Sequence, residues 1–360
     1  MSKRDSFLQV SERLFSFRVQ RGAYKLAGKA LEGKAFVLGR AFACANLSAD
    51  GKIPMVVVNS DGSVTCDCRD VAGEAALGNL LSGASFESVW HGDRASDLTH
   101  LLGQGRIPLP RCVMCPSFRW TPTPHVPDAA PRPRAIHALF IENTVLCNYS
   151  CRGCMREVIV PSRMQTSLSL RDFDLILDKL AGYAVDVIVL HNLGEPCLSK
   201  HFPQQLAMVR SRFPSTTIAL STNGSLLGNP ELRAALVQYA DDIEISIDGT
   251  SQEVAERYQV GIDFEQVLTN VRALVETRGA SRKPSIDWKY ILFWWNESFA
   301  QLDKLLVMAG AAGVDRIRLF PARTPFYAVP LRFHSQRNRY LERYSIEPLF
   351  GGMLSLSRRA

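Results

Sequence analysis

The chain has 360 residues, more than one average domain and enough for a large core. An apolar fraction of 46% and a charged fraction of 21% are those of a soluble globular protein, and no apolar run approaches the length of a membrane span. The net charge of +7 is compatible with anionic partners, but no dense run of Lys and Arg is interleaved with aromatics, so nucleic acid is not expected as a partner.

The N-terminus, Met1-Ser-Lys-Arg-Asp5, lacks the apolar stretch and cleavage site of a signal peptide, which points to a cytoplasmic chain with no membrane association. Its nine cysteines then read as metal ligands more readily than as disulfides. Residues 1–43 hold one or two helices, with Phe7, Val10, Leu14 and Phe17 at helical spacing on an apolar face. Cys44 follows among small and apolar residues and reads as a packed thiol. Met55 to Val58 reads as a strand, Ser60-Asp-Gly62 as a turn, and Ser63 to Thr65 as the returning strand that delivers Cys66 and Cys68. A Leu77-Gly-Asn-Leu80 stretch, a helix ending near Trp90, and a further helix lead to the pair Cys112-Val-Met-Cys115. Cys66, Cys68, Cys112 and Cys115 make two close pairs, a pattern that suits a structural zinc as well as an iron–sulfur cluster.

The stretch 121–134 carries Pro122, Pro124, Pro127, Pro131 and Pro133 and reads as a semi-rigid linker. Beyond it strands alternate with helices. Strands are expected at 135–145, 186–190, 217–220, 243–247, 286–293 and 316–320. Helices are expected at 170–183, 202–213, 230–239, 264–278 and 299–312. Such alternation implies parallel βα units. The arginine-bearing end, 326–360, reads as a tail with a solvated helix face. The first strand runs into Cys147-Asn-Tyr-Ser-Cys151-Arg-Gly-Cys154, three cysteines spaced C-x3-C-x2-C. Three thiolates are one fewer than a closed four-cysteine site needs, so a four-iron centre held here would keep one iron open.

This loop resembles the cluster-binding motif of the radical SAM enzymes. His191-Asn-Leu-Gly-Glu-Pro196 resembles that family's Gly-Gly-Glu-Pro loop, with Leu193 in place of its first glycine. Ser221-Thr-Asn-Gly224 and Ser246-Ile-Asp-Gly249 resemble its third and fourth strand ends. The likeness runs from about Arg134 to Arg323, and each motif falls at the C-terminal end of an expected strand, where barrels of this type place their chemistry. The N-terminal cysteines, with the Leu-Gly-Asn stretch and Trp90, resemble the SPASM or twitch type of auxiliary-cluster domain, although in the family that domain normally follows the core.

The resemblance implies an α/β fold: a partial (β/α)6 TIM-like barrel, the radical SAM core at 135–325, preceded at 1–120 by a small α+β SPASM-like cysteine-rich domain. It implies a 4Fe-4S cluster on Cys147, Cys151 and Cys154, with S-adenosylmethionine (SAM) on the open iron. Reductive cleavage would give methionine and a 5′-deoxyadenosyl radical that abstracts a hydrogen atom from a peptide, sugar or small-molecule substrate. Gly194, Glu195 and Pro196 would present carbonyls to the SAM ammonium, Ser221 and Asn223 would meet its carboxylate or ribose, Ser246 and Asp248 the ribose, and Tyr149 would lie near the adenine. Many relatives carry an arginine before a Gly-x-x-Phe stretch; here either Arg257 takes that role or Gln259 replaces it. An auxiliary 4Fe-4S cluster on Cys66, Cys68, Cys112 and Cys115 is implied, as is an external one-electron reductant such as a flavodoxin or ferredoxin. Cys197 could touch a substrate radical or simply pack. The run Trp294-Trp-Asn296 could stack a ring or a sugar face, or form a core or rim. The activity expected is oxidoreductase-like; the alternatives are an RNA- or protein-modifying radical SAM transferase and a non-catalytic zinc protein.

Overall fold

The computed structural model describes residues 3–48, 51–70, 72–121, 133–323, 326–349 and 353–359, with side chains in the first helix from residue 18 onward. The expected apolar face at Phe7, Val10, Leu14 and Phe17, and most of the proline-rich stretch, therefore lie outside the described residues. The chain is mixed α/β with parallel strands and forms two compact units.

The first unit comprises Met1–Leu146, Met155–Gly194 and Met208–Thr216. It opens with one long helix, α1 (Lys3–Leu38), then β1 (Ala41–Cys44), β2 (Ile53–Val58), β3 (Ser63–Thr65) and β4 (Gly78–Asn79). Next come α2 (Phe86–Trp90), α3 (Asp93–Gly103), β5 (Phe118–Thr121), β6 (Ala135–Ile141), α4 (Arg156–Ile159), α5 (Leu170–Leu180) and β7 (Ala184–Val189). β1 and β5 pair antiparallel, with Cys44 opposite Phe118. Phe42 and Ala35 bury against Leu102, with Phe118 and Trp120 packed on them.

β2 is a continuous apolar run, and its Val56, Val57 and Val58, which point alternately to its two faces, are all fully buried. It pairs antiparallel with β3 and parallel with β6, Ile53 opposite Ile136 and Val58 opposite Ile141. β6 in turn pairs parallel with β7. The cysteine-bearing hairpin is thus a continuation of the sheet that contains β6.

The second unit comprises Cys147–Cys154, Glu195–Ala207 and Thr217–Ala360. After α6 (Phe202–Arg212) come β8 (Thr217–Thr222), α7 (Pro230–Tyr239), β9 (Asp242–Ser246), α8 (Gln252–Glu256), α9 (Phe264–Arg278), β10 (Ser285–Leu292), α10 (Phe299–Ala312) and β11 (Arg316–Pro321). β8, β9, β10 and β11 are parallel neighbours in that order. Side-chain caps start the helices: Asn229 for α7, Ser251 for α8, Asp263 for α9 and Ser298 for α10.

The arginine-bearing end differs from a loose tail. It forms α11 (Leu331–Ser335), α12 (Arg337–Arg343), β12 (Tyr344–Pro348) and β13 (Leu354–Arg358). β13 pairs antiparallel with β11 and β12 closes its outer side. Tyr344-Ser-Ile346 and Leu354-Ser-Leu356 alternate as half-buried strands do, and they cover an edge of β11 that would otherwise stay open.

Candidate functional site

In the second unit the cluster loop is pinned by its backbone. Ser150 N–H donates to the Val260 carbonyl and Arg152 N–H to the Tyr258 carbonyl, both at 2.9 Å, and Cys154 N–H reaches the Cys151 carbonyl at 3.1 Å. The Tyr149 N–H stands 3.4 Å from Cys147 Sγ, and Asn223 Nδ2 stands 3.9 Å from the same sulfur. The Asn223 amide also donates to Asn148 Oδ1 at 2.8 Å, so the end of β8 braces the loop. Tyr149 is buried, and burial raises its phenol above the ordinary range.

Glu195 is 2% exposed and does not offer its carboxylate to a ligand. Oε1 accepts the Thr222 hydroxyl at 2.7 Å and the Cys197 N–H at 3.1 Å; Oε2 accepts the Asn223 N–H at 2.6 Å. Burial raises its carboxyl, and these donors pull it back. Cys197 is buried beside Thr222 Oγ1 at 3.6 Å, and burial, then the Glu195 charge, raises its thiol. Pro196 is buried in the short turn between them.

Ser221 and Ser246 share a face of β8 and β9, their hydroxyls 3.2 Å apart. Asp248 is 1% exposed; Oδ1 accepts the Ile291 N–H at 2.6 Å, and its carbonyl accepts from Asn296 Nδ2 at 3.0 Å. Of the two candidates downstream, Gln259 is buried and bridges two turns. Its Nε2 donates to the Ser246 carbonyl at 2.8 Å and its Oε1 accepts the Asp248 N–H at 2.7 Å. Arg257 pairs instead with Glu253 at 3.0 Å on the exposed side of its helix. Below the two serines the same face is ionic. Arg318 donates to Asp242, Glu244 and Asp287, and Lys289 stands 3.6 Å from Glu244.

In the first unit Gly194 holds φ at +80°, and a Cβ there would lie 2.3 Å from the Thr144 carbonyl oxygen, so only glycine fits. Just before it, the Leu193 N–H donates to Glu142 Oε2 at 3.1 Å. Glu142, fully buried at the end of β6, also accepts from Ser60 N–H and Arg163 Nε. Sequence reasoning missed this pair; an acid placed directly after an apolar strand was the available signal.

The N-terminal thiols also belong to the first unit. The Cys115 N–H reaches the Cys112 carbonyl at 3.1 Å, and the Cys115 carbonyl accepts the Phe118 N–H. Cys44 lies opposite Phe118, and Asn46 Nδ2 holds the Cys66 carbonyl at 2.5 Å. Burial first raises the thiols of Cys66, Cys112 and Cys115, Cys112 to about 11 and Cys115 to about 12. Burial, then the Asp67 charge, pushes Cys68 up to about 11 against the pull of Arg69.

Among the described residues no three Cys, His, Asp or Glu side chains are already drawn together as one metal ion would draw them. A four-iron cluster takes each sulfur on a different iron. The donors on Cys147 Sγ are those that a thiolate ligand accepts, and in that chemistry the loop fits the cluster.

Residues 141–280 match the family model described as the Radical SAM superfamily. The UPF0026 protein slr1464 of Synechocystis sp. is 29% identical over 131 residues, 35% of this chain and 49% of that protein. GTP 3',8-cyclase 2 of Pseudomonas aeruginosa is 30% identical over 145 residues, 40% of this chain and 43% of that protein. The chain spans about half the length of the curated relatives it matches. Streptococcus suis SuiB, solved with its precursor peptide SuiA, aligns over 57% of this chain and 45% of its own at 16% identity, with a TM-score of 0.44. Among the described residues no helix is long and apolar enough to cross a membrane. The family match thus takes in 140 of the 360 residues, from 141 to 280.

Proposed function

We propose that the chain is a radical SAM enzyme in which Cys147, Cys151 and Cys154 hold a 4Fe-4S cluster and one iron is left to SAM. The observation that carries this reading is the loop itself: three thiols within eight residues, donors on the Cys147 sulfur, inside the span that matches the family. Bound together, cluster and SAM supply a one-electron cleavage that gives a carbon radical able to remove a hydrogen atom from a peptide, sugar or small molecule. The six strand–helix units from β6 to β11 are read as the family's partial barrel.

The chain's own residues bind and orient. Backbone carbonyls of Gly194 and Glu195 take the amino group of SAM, and the Glu195 carboxylate holds Thr222 and Asn223 in place rather than meeting the ligand. Asn223 steadies the loop, and Ser221 and Ser246 offer hydroxyls to carboxylate or ribose. Asp248 and Gln259 fix the turn after β9. In the N-terminal region an auxiliary cluster is held by Cys66, Cys68, Cys112 and Cys115. A flavodoxin- or ferredoxin-like donor supplies the electron, in a cytoplasmic enzyme.

The test is iron, acid-labile sulfide and zinc per chain after anaerobic reconstitution, together with 5′-deoxyadenosine formed from SAM under a chemical reductant. About eight irons with matching sulfide are expected. Cys147→Ser is expected to abolish 5′-deoxyadenosine. Cys68→Ser should lose about four irons, and Cys44→Ser should keep them. Zinc without iron after reconstitution sinks the radical reading; loss of iron in Cys44→Ser but not in Cys68→Ser puts Cys44 in the ligand set in place of Cys68.

A further inference from the structure

The strands β9, β10 and β11 present two unlike faces. Ile243 and Ile245, Trp288 and Tyr290, and Ile317 and Leu319 make one face, and all are buried. Side chains alternate along a strand, so the residues between them share the other face. That face is polar from strand to strand. In the parallel register Glu244 stands opposite Asp287, Ser246 opposite Lys289, and Lys289 opposite Arg318. Parallel sheets are ordinarily apolar on both faces, so a charged face destabilises unless it is paired or has something to bind.

Toward the starts of the strands the pairing is complete. Arg318 donates to Asp242 at 2.8 Å, to Glu244 at 2.6 Å and to Asp287 at 2.5 Å, and Arg316 reaches Asp287 as well. Toward the ends it is not. Lys289 Nζ stands 3.6 Å from Glu244 Oε2, beyond hydrogen-bond length, and the other oxygen of that carboxylate is taken by Arg318. Among the described residues the Lys289 ammonium thus has an ion pair but no hydrogen bond, and its side chain is 23% exposed. Its partner across the strands is Ser246, whose hydroxyl is 3.2 Å from that of Ser221. One ammonium and two hydroxyls therefore lie side by side, all half-buried, near the C-terminal ends of β8, β9 and β10.

An ammonium offers donors only. A ribose diol needs no cation beside it, whereas a carboxylate that leaves water does. The other candidate cations are spent. Arg318 is shared among three acids, and Arg257 pairs with Glu253 on the exposed side of its helix. Gln259 is neutral, and both ends of its amide are taken.

We propose that Lys289 holds the carboxylate of SAM, with Ser221 and Ser246 donating to the same group, and so supplies the charge that neither Arg257 nor Gln259 brings. The proposal rests on the radical SAM reading and deepens it by naming the residue that pairs with the cofactor's negative charge.

The experiment is equilibrium dialysis of SAM and of decarboxylated SAM, which keeps the sulfonium, the amino group and the adenosine. Both are dialysed against the full-length, reconstituted protein without reductant, so that neither is cleaved. Lys289→Met is expected to weaken SAM binding by about tenfold or more and to leave decarboxylated SAM within roughly twofold of wild type. Lys289→Arg, which keeps the charge, should recover most of the lost affinity. Iron per chain and thermal midpoints close to wild type separate a lost charge from a lost fold; were Lys289→Met to unfold, Lys289→Gln, which can still donate to Glu244, takes its place. The proposal is overturned if the neutral variant binds SAM as wild type does. It is overturned equally if that variant loses both ligands to the same degree, which would make the lysine a structural partner of Glu244. A wild-type protein that holds its iron but binds neither ligand fells the radical SAM reading and this assignment with it. The failures are told apart by the wild type, which binds SAM in the first two cases and not in the third.

Discussion

Asp248 illustrates how a residue read from sequence as a ribose contact can be committed elsewhere. Its carboxyl is buried, and burial pushes it up to about 7 against the pull of the Ile291 N–H and of Lys289. A raised acid holds its proton in the folded chain after the unfolded chain has released it, so the folded state binds more protons. Its contribution is fully present below about pH 4 and is lost as pH rises through about 7. Asp248→Asn keeps an acceptor for Ile291 and cannot ionise. The melting temperature of this variant relative to wild type should therefore climb between pH 4 and pH 7 and then level, by on the order of several degrees. A pH-independent gap between the two curves would show that the carboxyl is ionised throughout.

At the scale of elements, the loops after the strands carry the candidate residues, and Gly194 is fixed both by a positive φ and by close backbone. Gly194→Ala combines a forbidden φ with a Cβ 2.3 Å from the Thr144 carbonyl. We expect it to lower the melting temperature by roughly 5 °C or more and to reduce iron retention after reconstitution; unchanged values for both would mean that the loop is soft. The strands and helices were legible because apolar runs, caps and glycine turns are local signals. The loops were legible as motifs but not in their bonding. Gln259 could not be preferred to Arg257 from sequence, because its two partners sit on a turn 11 and 13 residues away. Cys44, flanked by Ala43 and Ala45, looks like a packed thiol. Its neighbours come from the pairing of β1 with β5, which no local pattern announces.

The whole molecule departs most from the sequence reading where the hairpin meets β6. A proline-rich stretch invites a domain boundary, yet β2 and β6 are parallel neighbours across it. Removing residues 1–120 would strip β6 of that edge and expose Ile136, Leu139 and Ile141, all fully buried. We expect a fragment of residues 135–360 to be insoluble, or to lack a cooperative melt by circular dichroism. A soluble fragment with a sharp transition would restore the boundary. The same pairing has a consequence for synthesis. β2 leaves the ribosome long before the strand that must cover it, and at roughly 5–20 residues per second the delay is on the order of ten seconds. Throughout that interval Ile53, Val56, Val57 and Val58 lack the β6 strand that pairs beside them in the folded chain. Nascent chains of this protein are therefore candidates for chaperone capture at this run, and slowing translation between residues 66 and 134 should raise the insoluble fraction.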